Sequence, residues 1–207
     1  MKYLDSPNRK DTIKKAMILV WIGELWNIVE AVLALQAGVQ ANSVSLLAFG
    51  LKSIIELFLG AILIWQLRRE LNAIEGESVS EKRSLKFLGY SFFGLAAYVL
   101  IQSGATLLGW VREPEPSAMG IFIVLASAAI MLVLYLGKTN LAKKLGSRSL
   151  QKEARATLAC DLQDMTVIVG LVLNSLFGWW WADPVTALLL IPFLINEGKE
   201  ALEEAEE

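Results

Sequence analysis

Five carboxylates and one amine lie inside stretches of the sequence that are otherwise apolar. The acids are Glu24, Glu30, Glu56, Asp161 and Asp164, and the single base is Lys52. A charged side chain costs about 2.5–3.5 kcal/mol at the centre of a membrane helix, so each of these groups needs a partner or a function. Because the acids outnumber the base, either some acids stay protonated or a cation enters.

Two pairs of residues are spaced to share a helix face. Lys52 and Glu56 are four residues apart, and so are Cys160 and Asp164, which places each pair on one side of its helix. If the two faces oppose each other, one site near the middle of the membrane would hold all four. A sulfur ligand beside carboxylates suits a transition-metal ion such as zinc. The opposing interpretation is a set of buried ion pairs that holds the helices together, with the cysteine a small core residue.

The composition excludes several other classes of chemistry. The 207 residues include no histidine and one cysteine, which rules out Ser-His-Asp catalysis, His-based zinc catalysis and an internal disulfide. The 19 lysines and arginines are balanced by 21 acids, so nucleic acid is not expected as a partner. Hydrophobic residues make up 55% of the chain and charged residues 19%, as in an integral membrane protein. We therefore expect a membrane protein that is not an enzyme and holds no cofactor.

Six stretches are long enough, or nearly so, to cross a bilayer as helices. A hydrocarbon core about 30 Å thick needs about 20 apolar helical residues. The predicted spans are 17–37, 45–66, 85–110, 118–137, 157–181 and 184–197. Asp183 and Pro184 are expected to begin the last span as its N-cap and first-turn proline. The sequence predicts an all-α bundle of six transmembrane helices that forms a single domain over residues 1–207.

The basic residues predict the orientation of this bundle. Of the 19 lysines and arginines, 17 lie in 1–16, 67–86, 138–155 and at Lys199. By the positive-inside rule these connections and both termini are cytoplasmic, which indicates a multi-pass protein of the plasma membrane. The tryptophans at 179–181 are interpreted as an interfacial belt at the outer end of the fifth span. The acidic tail from Glu197 to Glu207 is interpreted as a solvated helix end.

Two segments resemble the cation diffusion facilitator family of metal–proton antiporters. They run from Ser43 to Glu56, with the sequence SVSLLAFGLKSIIE, and from Glu153 through Asp164 to Pro184. The likeness extends over nearly the whole chain and is closest to the short members that lack a cytoplasmic metal-binding domain. In that family an Asp-x-x-x-Asp pair on the second helix faces a His-x-x-x-Asp pair on the fifth, and together they form a tetrahedral zinc site. Carried over by position, the four residues are Lys52, Glu56, Cys160 and Asp164.

The resemblance implies a protein of the lipid bilayer that exports a zinc-like divalent metal ion in exchange for protons. It also implies a homodimer as the expected assembly. Its metal ligands here would be Glu56, Cys160 and Asp164, with Asp161 assisting.

Lys52 departs from the family pattern, because an ammonium group cannot bind a metal ion while it is protonated. Lys52 would have to lose its proton or turn toward Glu30; otherwise the metal site is inactive. In either case we expect an acidic partner for it in the membrane, with Glu30 and Glu56 as the candidates, and a charge-coupling role for Lys52 and Glu30. Three alternatives stay open: a transporter of protons, an organic cation or an anion; a membrane scaffold or binding protein that transports nothing; and a lysine that forms a Schiff base.

Overall fold

Six helices make up most of the structure, which is a computed structural model that describes residues 7–71, 79–145 and 148–206. Within those ranges there is no strand, so the predicted all-α class is confirmed. The helices are α1 (Pro7–Ala41), α2 (Val44–Leu71), α3 (Val79–Leu107), α4 (Ala118–Leu145), α5 (Arg148–Phe177) and α6 (Ala182–Glu204).

Five of these helices are long and apolar enough to cross a membrane. Their apolar parts are Asp11–Ala41, Val44–Ile62, Lys82–Leu107, Ala118–Leu145 and Cys160–Phe177. Many large apolar side chains point away from the bundle, among them Ile101 and Phe122, which are 70% and 69% exposed. The chain is therefore a multi-pass membrane protein. The 23 residues of α6 would reach about 34 Å, but its charged residues weaken its apolar signal, so the sixth span stays a prediction.

The helices pack in a ring in which α2 and α5 also touch across the middle. Around the ring α1 packs on α4, α4 on α5, α5 on α6, α6 on α3, α3 on α2 and α2 on α1. The helices α3 and α6 approach most closely where two glycines meet. A Cβ added at Gly89 would lie 2.8 Å from the carbonyl oxygen of Gly198, a close contact of the kind that small residues permit between membrane helices.

Residues in the left-handed backbone conformation, with a positive φ, follow helix ends on the predicted outer side. Gly178 has a φ of 67° and its amide donates to the carbonyl of Asn174 at 3.0 Å, which terminates α5 at Phe177. The fifth helix is therefore shorter at this end than the predicted span 157–181. Trp179 and Trp181 follow and stack with their ring centres 5.4 Å apart; their role as an interfacial belt stays a prediction.

Asp183 was expected to cap its own helix, and this expectation was wrong. It lies in the first turn of α6, and its carboxylate caps α2 instead. The amides of Val44 and Ser45 donate to it at 2.8 and 3.3 Å, and the hydroxyls of Ser43 and Ser45 donate as well. Because a carboxylate at a helix N-terminus satisfies amides that have no partner within the helix, Asp183 joins the start of α6 to the start of α2.

The helices extend beyond the predicted spans on the predicted cytoplasmic side. The segment 138–155 was interpreted as a connection, yet α4 runs to Leu145 and α5 begins at Arg148; residues 146–147, like 72–78, lie outside the described ranges. Lys138 was counted in that connection but is buried in α4, where its ammonium lies 3.2 Å from the hydroxyl of Thr157. The long apolar stem of a lysine makes this burial tolerable when its head finds polar atoms.

Candidate cation site

The polar faces of α2 and α5 meet at Lys52. Its ammonium lies 3.1 Å from Asp164 Oδ1 and 3.5 Å from Glu56 Oε1. It also donates to the carbonyl oxygen of Cys160 at 3.4 Å. The lysine is buried, with 3% of its surface exposed. The four residues spaced i,i+4 along the two helices therefore lie in one cluster at the place where α2 and α5 touch.

An ammonium group is the cation at the centre of this cluster. Lys52 occupies the position to which the resemblance assigns an acidic ligand. Among the described residues, no three aspartate, glutamate or cysteine side chains converge closely enough to hold a metal ion. The roles of Glu56, Cys160 and Asp164 as metal ligands stay predictions, and any metal ion that bound here would have to move the ammonium or compete with it.

Asp161 lies beside this cluster on α5. It follows Cys160 directly and precedes Asp164 by three residues, so it lies about 60° from Asp164 around the helix, at the edge of the face that Cys160 and Asp164 share. The side chain is buried, and its Oδ1 has no hydrogen-bond partner in the described ranges. A buried oxygen without a donor is costly, which makes Asp161 available to a ligand; its assisting role stays a prediction.

Of the two partners expected for Lys52, Glu56 is confirmed, whereas Glu30 has other contacts. Glu30 is 2% exposed and accepts hydrogen bonds from the hydroxyls of Ser53 and Ser127. The indole of Trp26 also donates to it at 2.9 Å. Three donors from α1, α2 and α4 thus hold this carboxylate without the ammonium, and its charge-coupling role stays a prediction.

Glu197 was interpreted as the start of a solvated tail, and this interpretation was wrong. It is half-buried on α6, and Gln163 Nε2 donates to its Oε1 at 2.6 Å. The thiol of Cys160 lies 4.0 Å from the same oxygen. A signal was present in the sequence, because the apolar and small residues of α6 continue at helical spacing past this glutamate. They are Leu190, Leu194, Gly198 and Ala201, all of them buried.

Comparison with known families agrees with this architecture. The family described as the cation efflux transmembrane domain matches residues 85–205, more than half of the chain. The chain belongs to the cation efflux family. The matched range contains Asp161 and Asp164 but begins after α2, so Lys52 and Glu56 lie outside it. No curated protein matches this cation efflux protein.

Family membership settles the general activity. The protein is a cation transporter of the cation diffusion facilitator kind, and the family is one of transporters rather than enzymes. The likeness predicted from the sequence segments is therefore confirmed at the level of the family.

Proposed function

We propose that this cation efflux protein exchanges a divalent metal ion for protons at the cluster between α2 and α5. The observation that carries the proposal is the position of the Lys52 ammonium, held by one carboxylate from each helix. Lys52 Nζ lies within 3.5 Å of both Glu56 and Asp164. The fold thus already stabilises positive charge at a buried point where α2 and α5 touch.

Lys52 acts in this proposal as a tethered cation. Two carboxylates and one ammonium leave a formal charge of −1, so the cluster attracts further positive charge even when the lysine is in place. When the ammonium swings aside, Glu56 and Asp164 become free to bind an incoming ion, and Asp161 has an unused oxygen nearby. When the metal ion leaves, the returning ammonium or protons neutralise the carboxylates. Exchange of one cation for another follows from this competition.

Flux through reconstituted vesicles tests the proposal. We expect a proton gradient to drive zinc into vesicles that contain the protein and a zinc-sensitive dye. Asp164→Asn removes one charge of the cluster and should abolish this flux. Glu203→Gln changes an exposed acid on α6 and serves as the matched control, because it should leave the flux unchanged.

Zinc binding to the Lys52→Asp variant distinguishes a divalent metal cargo from a different cargo. At an effective dielectric of about 20, a unit charge about 5 Å from a divalent ion contributes roughly 7 kcal/mol of repulsion before relaxation. The observed gain will be far smaller, since the ammonium can move away, but Lys52→Asp should bind zinc more tightly than the wild type. No zinc binding in either protein would refute metal transport. Zinc binding by the variant alone would favour a different cargo, such as protons or an anion held by Lys52.

A further inference from the structure

Three side chains with unused ligand atoms meet on the α6 side of Lys52. The carboxylate of Glu197 accepts from Gln163 Nε2 at 2.6 Å and lies 4.0 Å from the thiol of Cys160. Among the described residues, no donor lies within hydrogen-bond distance of the amide oxygen, Gln163 Oε1, although this residue is only 2% exposed. A buried amide that uses its nitrogen and leaves its oxygen unpaired has an acceptor available to a further donor or to a cation.

The position of that unpaired oxygen follows from the amide geometry. The oxygen and nitrogen of an amide group are about 2.2 Å apart. Because Nε2 lies against the Glu197 carboxylate, Oε1 is fixed close to it as well. The thiol sulfur therefore lies 4.0 Å from Glu197 Oε1, and the amide oxygen lies within about 5 Å of it, at the interface between α5 and α6. Cys160 and Glu197 are each only partly buried.

The charges around Lys52 favour a cation here. Its ammonium forms ion pairs with Asp164 and Glu56, and the Glu197 carboxylate attracts it from a greater distance. Three carboxylates against one ammonium leave a formal charge of −2, which a single divalent ion would neutralise while the lysine stays in place. The Lys52 ammonium also donates to the carbonyl oxygen of Cys160 at 3.4 Å, so this part of the interface between α5 and α6 adjoins the cluster between α2 and α5.

We propose that Cys160, Gln163 and Glu197 form a second cation subsite, which takes a divalent ion of borderline softness such as zinc, cobalt or cadmium. The sulfur ligand sets this preference, because magnesium and calcium favour oxygen ligands alone. The subsite deepens the proposed function, on which it rests for the class of ion. An ion can bind at this subsite, beside α6, before the Lys52 ammonium moves. Glu197 is then a metal ligand in addition to the residues of α2 and α5 that the family resemblance assigns.

Cadmium binding to the purified protein tests the subsite. Bound cadmium should produce a thiolate-to-metal charge-transfer band in the ultraviolet, and Cys160 is the only cysteine in the chain. We expect Glu197→Gln and Gln163→Leu each to weaken cadmium binding by at least tenfold by that band, and both Cys160→Ser and Cys160→Ala to abolish it. Glu203→Gln, an exposed change on the same helix, should leave the affinity unchanged. Size-exclusion profiles would confirm that each variant remains folded.

The outcomes separate the subsite from the proposed function. If Glu197→Gln and Gln163→Leu retain wild-type cadmium affinity, or if no band forms, the subsite is refuted whether or not zinc flux depends on Asp164. If both variants lose the band while the wild type shows no proton-driven zinc flux, the subsite stands and metal transport fails.

Discussion

Replacing Lys52 by methionine should be among the most destabilising single changes in this protein. Methionine keeps the length and apolar volume of the stem but removes the ammonium. Glu56 and Asp164 would then lie in the protein interior without their counter-charge. Breaking a buried ion pair by removing one partner costs about 3–5 kcal/mol, and we expect a loss of that size in the free energy of unfolding.

The distances rank the two carboxylates as partners. At an effective dielectric of about 20, each contact, at 3.1 Å for Asp164 and 3.5 Å for Glu56, corresponds to about 5 kcal/mol of attraction before desolvation is subtracted. The Asp164 side chain is 8% exposed and that of Glu56 16%. An unpaired charge on Asp164 is therefore more strongly desolvated and more destabilising when the ammonium is absent. Adding Asp164→Asn to Lys52→Met should therefore restore more stability than adding Glu56→Gln. Glu30→Gln should restore none, because three other donors hold Glu30.

Unfolding titrations in mixed detergent and SDS, followed by circular dichroism, measure these free energies. Lys86→Met, which removes an exposed lysine from α3, is the matched control and should change stability by less than about 0.5 kcal/mol. A Lys52→Met protein as stable as this control would show that the ion pairs contribute nothing. A double variant with Asp164→Asn that is no more stable than Lys52→Met would show that Asp164 is not the main partner.

Three further predictions concern other parts of the bundle. In a Cys160→Ser background, a cysteine at position 78 should react with impermeant reagents only from the cytoplasmic side and one at 117 only from outside; the reverse would overturn the predicted orientation. Gly89→Ala should destabilise the protein by about 1–3 kcal/mol in SDS titrations, because its Cβ would lie 2.8 Å from the backbone carbonyl oxygen of Gly198 on α6; an unchanged midpoint would contradict this contact. Asp183→Asn should cost about 1–2 kcal/mol, since two amides and two hydroxyls lose a charged acceptor, and wild-type stability in the same titration would argue against a capping role.

The helices and the polar pairs within α2 and within α5 could be predicted because both depend on local spacing, whereas the meeting of the two faces was implied only by the family resemblance. Apolar length sets the spans, and a separation of four residues places Lys52 with Glu56, and Cys160 with Asp164, whatever the rest of the fold does. The helix ends were less predictable, since one residue can decide them. Gly178 adopts a positive φ and ends α5 before the tryptophans, although the apolar pattern continues.

Partners across helices could not be predicted in the same way. Lys52 has a long stem with several rotatable bonds, so its ammonium can reach acids on more than one neighbouring helix. Glu30 was one candidate, but Ser53 and Ser127 already satisfy its carboxylate, and this depends on how α1, α2 and α4 pack. Lys138 was assigned to a connection because basic residues usually lie outside the bilayer, and only the packing of α4 against α5 shows that it is buried.

Lys52, which replaces an acidic ligand of the family pattern, lies outside the matched family range, whereas acids that attract it lie inside that range. Residues 85–205 carry the family match, and they include the two carboxylates of α5 and α6 that attract the lysine, Asp164 and Glu197. On that side of the site the fold presents more negative charge than a lysine needs. An ammonium that served only to bind two helices together would need one well-placed carboxylate, whereas Lys52 contacts two and is attracted by a third, Glu197. This excess is what a site needs if it must hold one cation while it admits another, and it is the reason to test Lys52 as a competitor of the transported ion.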